Sequence, residues 1–209
     1  MDSKKKVIVY VDGFNFYYGL KSKKWKRFYW LDMVGFFSSF LKPYQELVQV
    51  NYFSARPTDQ GKHDRQDMLF QANRRNPKFN LVLGKYLKKE IVCKYCGGTI
   101  HTHEEKETDV RIATQIISDA FNKRCDIAII VSADSDLIPP IELIREINPQ
   151  QKVFVYFPPN RYSTNLANLS DGTRKLDGAF LQFKNNILPD EVTLSNGYVA
   201  KCPDKWKGK

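Results

Sequence analysis

The stretch Ile127 to Pro140, IAIIVSADSDLIPP, constrains the fold more than any other part of the chain. Ile127 to Val131 is an unbroken apolar run, mostly β-branched. Such a run reads as a strand buried on both faces, the kind found in parallel sheets. It stops abruptly at Ser132-Ala133-Asp134-Ser135-Asp136, so two carboxylates follow its carboxyl end. In open α/β sheets that edge is where ligands bind. Two acids so close together repel unless a cation or a proton lies between them. Val7 to Val11 repeats the design and ends in Asp12-Gly13-Phe14-Asn15. The glycine permits a tight turn, and Asn15 can point back at the same spot. Taken alone, Asp12 reads better as a helix N-cap.

Between and beyond these runs, strand and helix signals alternate. Leu31 to Leu41 reads as a helix capped by Asp32, Leu47 to Ser54 as a strand, and His63 to Asn73 as a polar helix. Asn80 to Leu87 alternates apolar and polar residues and is expected as one edge strand. Asp109 to Phe121 is amphipathic, with Ile112, Ile116 and Phe121 in its stripe and Thr108 as its expected N-cap. Asp109 in the first turn gains from the helix dipole, and a helix start can also hold a carboxylate rigidly over strand ends. Pro139 and Pro140 suit the first turn of a helix running to Ile147. Lys152 to Phe157 reads as a strand, and Ser163 as the cap of a short helix to Leu169. The pattern implies a mostly parallel sheet with right-handed crossovers.

Two irregular segments carry chemistry of their own. Lys21 to Trp30, KSKKWKRFYW, interleaves cations with rings. Lys23, Lys24, Lys26 and Arg27 would suit phosphates and the rings would suit bases of a single strand, although a solvated loop with packed rings reads at least as well. Cys93-Lys-Tyr-Cys96-Gly-Gly has the shape of a zinc knuckle, and His101 and His103 would complete a Cys2His2 set for structural Zn2+. The plain alternative is a hairpin with two reduced thiols.

The chain has 209 residues, enough for one sizeable core. Lys and Arg outnumber Asp and Glu by 33 to 23, an excess that favours a polyanionic partner, nucleic acid first. No apolar run approaches the roughly 20 residues needed to cross a membrane, so no membrane partner is expected and a cytoplasmic location is. The three histidines flank no Ser or Cys motif, and the first strand lacks the Asp-x-Asp of haloacid dehalogenase phosphatases. Hard oxygen ligands such as Asp12, Asp109, Asp134 and Asp136 suit Mg2+ or Mn2+. Acidic ligands in a basic protein make sense if the substrate is a phosphodiester, the metal bridging two negative partners.

The stretches VDGFNFYYGL, EEKETDVRIATQIISDAF, AIIVSADSDLIPPI and VFVYFPPNRYSTNL together resemble the NYN domain family, the LabA-like branch of the PIN-like nuclease superfamily. They occur in the family's order and cover most of residues 7 to 170. The resemblance implies an α/β fold, a three-layer α/β/α PIN-like (Rossmann-like) arrangement, over residues 1–170 with the Cys-x-x-Cys insertion at about 88–104. Residues 171–209 would then be a C-terminal extension, packed on the domain or partly flexible. It implies a metal-dependent ribonuclease in which Asp12 and Asp134 are primary ligands and Asp109 and Asp136 complete the shell or hold water. Asn15, Ser132 and Arg161 join the expected contacts to substrate. The competing reading is a PIN-like module that binds RNA or protein without cutting. A homo-oligomer is left open.

Overall fold

Alternation along the first strand sorts the core into two halves. The computed structural model describes residues 3–207, without the side chains of 86–89, 91 and 100–105. In chain order the elements are β1 (Lys5–Asp12), α1 (Gly13–Ser22), α2 (Met33–Ser38), β2 (Gln45–Ser54), α3 (Gln60–Arg74), β3 (Phe79–Leu83), β4 (Lys85–Val92), β5 (Thr99–Lys106) and α4 (Thr108–Phe121). There follow β6 (Ile127–Val131), α5 (Ile138–Ile147), β7 (Lys152–Phe157), α6 (Thr164–Leu169), β8 (Gly172–Lys175), α7 (Phe180–Asn185), β9 (Glu191–Thr193) and β10 (Val199–Lys201). On β1, Val7, Val9 and Val11 face a core shared with Phe16 and Leu20 of α1, Phe36 and Phe37 of α2, and Leu69 and Phe70 of α3. Ile8 and Tyr10 face the other core, with Ile112 and Ile116 of α4, Ile141 and Ile144 of α5, and Leu166 of α6. Side chains alternate across a strand, so one period-two pattern buries both faces and gives three α/β/α layers.

The central sheet has the order β3-β2-β1-β6-β7-β8, and every neighbouring pair is parallel. The chain runs outward from β1 to β3, then restarts beside β1 at β6 and runs outward the other way. The strand order therefore reverses between β1 and β6, which is the crevice where open α/β sheets bind ligands. Asp12 ends one of these two strands, and Asp134 follows the other by three residues.

Several expectations are corrected. The run Asn80 to Leu87 is two strands, not one: Gly84 separates β3, on the sheet edge, from β4, which pairs antiparallel with β5 in a separate hairpin. A Cβ on Gly84 would lie 2.6 Å from Thr108 Oγ1 and 2.7 Å from Lys106 O, so the hairpin's base admits only glycine there. Gly13 is likewise needed for space, since a Cβ would lie 2.5 Å from Phe53 O. The helix expected over Leu31 to Leu41 is shorter, Met33–Ser38, although Asp32 does cap it by accepting from Gly35 N at 2.9 Å. Thr108 does not cap α4. It is the helix's first residue, and the preceding Glu107 sits in the left-handed region at φ 74° with no side-chain cap bond.

Residues after 170 contribute to the same sheet and to the first core. β8 is the sixth strand of the sheet, and Leu176, Phe183, Leu188, Val192 and Trp206 lie in the first core. Trp30 Nε1 donates to Pro189 O at 2.7 Å, tying this segment to the aromatic stretch before α2.

Candidate metal centre

Asp12, Asp109 and Asp134 each offer a carboxylate oxygen within 4.8 Å of one another. Their convergence follows from the phase of the strands. Asp12 has the phase of Ile8 and Tyr10, so it turns toward the layer holding α4. Ser132, one residue past β6, has the phase of Ala128 and Ile130 and meets it there. The Ser132 hydroxyl donates to Asp12 Oδ2 at 2.9 Å and accepts from Asp134 N at 3.0 Å. Asp12 Oδ1 accepts from Asn15 N at 2.9 Å. Asp12 is thus both the cap of α1 and a wall of the site, and the two readings of it do not compete.

Asp109 enters from the first turn of α4. Asp136 lies outside the close group. It is exposed, its N–H donates to Asp134 Oδ1 at 3.0 Å, and its charge reaches Asp109. Burial pushes the Asp12 carboxyl up, against hydrogen bonds from Asn15 and Ser132 that pull it down. Asp109 is raised by partial burial and then by the charges of Asp12, Asp134 and Asp136. At such separations each ionised pair repels by roughly 3 kcal/mol at an effective dielectric constant of about 20, less where Asp109 meets solvent.

The oxygens around this cluster fit a hard cation. Asn15 Oδ1, in the residue whose N–H donates to Asp12, is buried and has no hydrogen-bond partner. An unpaired acceptor beside repelling carboxylates is what a divalent cation satisfies. Next to the cluster, an open cleft of about 330 Å³ is lined by Asn15, Asp134 and Ser135 on one side and Asn160, Arg161 and Tyr162 on the other. Arg161 is exposed, and among the described residues no carboxylate pairs with it. Asn160, left-handed at φ 55°, is clamped: its N–H donates to Asp177 and its amide donates to Ser22 Oγ at 3.1 Å.

The aromatic and basic stretch is built differently. Phe28, Tyr29 and Trp30 are buried, and Phe28 stacks on Phe183 with ring centroids 5.1 Å apart. These rings present no face to a nucleobase. Lys23 pairs with Asp177 and Arg27 with Asp190, both at 2.7 Å, whereas Lys24 and Lys26 are exposed. The half-exposed ring of Tyr162 lines the cleft with Asp134. Sequence reasoning did not single it out, though it directly follows Arg161.

The sequence model of the NYN domain matches residues 6–177. The chain belongs to the NYN domain family. NYN domains are part of the PIN-like superfamily, whose three-layer sheet is the one described here. A curated relative, 6-hydroxy-3-succinoylpyridine 3-monooxygenase HspA of Pseudomonas putida, is 24% identical over 173 residues, 66% of this chain and 54% of its own length. The chain therefore spans about half of that relative. A crystal structure of a protein of unknown function from Vibrio parahaemolyticus superposes with a TM-score of 0.58 at 22% identity, over 85% of this chain and 96% of the other, and carries the same fold. Among the described residues of this NYN protein, no helix is long and apolar enough to cross a membrane.

Cys93 and Cys96 are unpaired, in the turn joining β4 to β5. The side chains of His101 and His103 lie outside the described residues.

Proposed function

We propose that the chain is a divalent-metal-dependent endoribonuclease that hydrolyses phosphodiester bonds of single-stranded RNA in the cytoplasm. The observation that carries the reading is the convergence of Asp12, Asp109 and Asp134 within 4.8 Å where the strand order reverses. The donors are all oxygen, which suits Mg2+ or Mn2+. A divalent ion held by these three residues would supply Lewis acidity at the phosphate and a lowered pKa for the attacking water.

The remaining roles belong to the chain. Ser132 holds Asp12 and the Asp134 backbone in one arrangement, through the bonds at 2.9 and 3.0 Å. Asn15 steadies Asp12 through its N–H and presents its free Oδ1 to the same spot. Asp136, exposed beside Asp134, is positioned to orient an incoming water or take its proton. Arg161 on the cleft wall, with Lys24 and Lys26 farther along, supplies positive charge for the flanking phosphates, and Lys23 and Arg27 join them only by releasing Asp177 and Asp190.

The test is incubation of wild type and Asp134→Asn with labelled single-stranded RNA, linear and circular, and with DNA of the same sequence, in Mn2+. Cutting of the circular RNA by wild type alone is expected. Equal cutting by both proteins would sink the proposal, and RNA binding without any cutting would replace it with the binding-module reading. Oxidation of the hydroxypyridine named for the Pseudomonas relative, with RNA left intact, would point to that relative's chemistry instead.

A further inference from the structure

We propose, resting on the RNA reading above, that the cleft beside the acids is a subsite for one unpaired nucleotide. Its base stacks on the Tyr162 ring and its phosphate is held by Arg161. The cleft measures about 330 Å³ and is lined by Asn15, Ala133, Asp134 and Ser135 together with three consecutive residues, Asn160, Arg161 and Tyr162. That is the small end of ligand clefts, which run from roughly 300 to 1,000 Å³, a size for one nucleotide unit and not for a duplex. Because Asp134 lines the cleft, a unit bound there adjoins the phosphate at the acids.

Tyr162 is mounted as a platform. Its ring rests on Phe157, the last residue of β7, with centroids 4.6 Å apart, and Phe157 is fully buried. Tyr162 itself is 51% exposed, and its hydroxyl has no partner among the described residues. The loop that carries it is fixed at several points. Arg161 N donates to Pro158 O at 3.0 Å, Asn160 N donates to Asp177, and Ser163 Oγ accepts from Leu166 N at 3.4 Å. A leucine would cover Phe157 as well, so packing explains the contact with the core and not the half of the ring left in water. A rigid, half-exposed ring beside an unpaired cation is what single strands stack on.

Lys175 is the ring's present neighbour, with Nζ 4.5 Å from the centroid, and no carboxylate pairs with it among the described residues. A cation over an exposed ring is worth roughly 2- to 5-fold in an equilibrium, whereas a base stacked on a ring is worth roughly 5- to 150-fold. A base therefore displaces the ammonium, which remains beside the strand as a second positive charge. Arg161, exposed on the same wall, supplies the first. Asn160 is committed to Asp177 and Ser22 and does not serve to read base edges. Stacking without such readout tolerates all four bases.

The test is binding by fluorescence anisotropy in EDTA, where a metal-dependent nuclease cuts nothing. The probes are a labelled oligoadenylate and a labelled abasic ribose–phosphate strand of the same length. Wild type should bind the oligoadenylate roughly 10-fold more tightly. Tyr162→Leu, which still covers Phe157, should lose about that factor on the oligoadenylate and nothing on the abasic strand, while Tyr162→Phe behaves as wild type. Lys175→Ala should keep the preference for bases. Arg161→Ala should weaken both strands alike and lower the slope of log affinity against log salt by about 0.7. Equal weakening of both strands by Tyr162→Leu, or oligoadenylate binding left untouched by it, would overturn the proposal. So would a base preference lost in Lys175→Ala or a slope unchanged in Arg161→Ala. A wild type that cuts RNA while Tyr162→Leu binds like it sinks the subsite alone. A wild type that shows the base preference and never cuts sinks the nuclease reading alone, and one that binds neither strand sinks both.

Discussion

The crevice between β1 and β6 and the segment from Lys21 to Trp30 both gather reactive or charged side chains, and they differ in what they leave unsatisfied. At the crevice, three carboxylates crowd within 4.8 Å, Asp12 and Asp109 are raised from the ordinary carboxylate value, and the buried Asn15 Oδ1 lacks a partner. In the aromatic segment the rings fill the core, and Lys23 and Arg27 each rest against an acid. One region is satisfied by the fold. The other asks for something that the chain itself does not contain. Unmet demand, more than density of reactive residues, separates a site from a scaffold.

The largest effect expected concerns the satisfied region. Phe28→Ala removes a buried ring that stacks on Phe183 and touches Phe180 and Trp25. The loss should be about 3–5 kcal/mol of stability, read by denaturant unfolding. If Phe28→Ala left stability intact and weakened RNA binding, the segment would be a base platform and the contrast would collapse. Next in size is Asp134→Asn, which keeps the shape of the crevice and removes one charge. Cleavage in single turnover should fall by about 100-fold or more, by analogy with the loss of outer-shell partners of metal sites, while RNA binding holds or tightens.

How far each region was legible in the sequence follows from the same contrast. The strands at the crevice were visible because burial on both faces demands long apolar runs, and Asp12 and Asp134 were visible because they interrupt those runs. Asp109 was legible only through its helix start, since its convergence on Asp12 depends on how α4 packs. The aromatic segment misled because composition reports rings and cations, not which way they turn. Phe28 and Trp30 face inward through contacts with Phe183 and Pro189, more than 150 residues later, which no local pattern encodes. The division at Gly84 was hidden because β3 and β4 are both extended, and only the close approach of Thr108 breaks them apart.

A smaller effect tests whether the crevice is in fact strained. Asp12 and Asp109 are raised, so the folded chain binds their protons more tightly than the unfolded chain does. Their contribution is therefore full below the ordinary carboxylate range and is lost as pH climbs through their raised values. Asp109→Asn should flatten that loss and raise the melting temperature of metal-free protein near neutral pH by on the order of 2 °C, a figure reduced for the solvent around Asp109. Mn2+ should raise the melting temperature of wild type more than that of the variant. A variant less stable than wild type at neutral pH, without metal, would show that the acids are already compensated.

The smallest effect decides which cations of the basic segment meet the substrate. Lys24 and Lys26 are exposed, while Lys23 and Arg27 neutralise Asp177 and Asp190. A lysine already paired with a carboxylate releases few counterions from RNA, so it contributes little to the salt dependence of binding. Replacing Lys24 and Lys26 with Ala should lower the slope of log affinity against log salt by about 0.7 for each phosphate no longer neutralised. Replacing Lys23 and Arg27 should leave the slope unchanged and lower stability by less than about 1 kcal/mol per pair, the range of exposed ion pairs. Lys23 carries one further consequence, because Asp177 also accepts from Asn160 N in the loop that bears Arg161. Its removal should weaken binding through that loop without changing the slope. A filter-binding salt titration of both double variants separates these outcomes. An equal fall in slope would mean that RNA breaks the two ion pairs on binding, and the segment would then join the crevice as part of the interface.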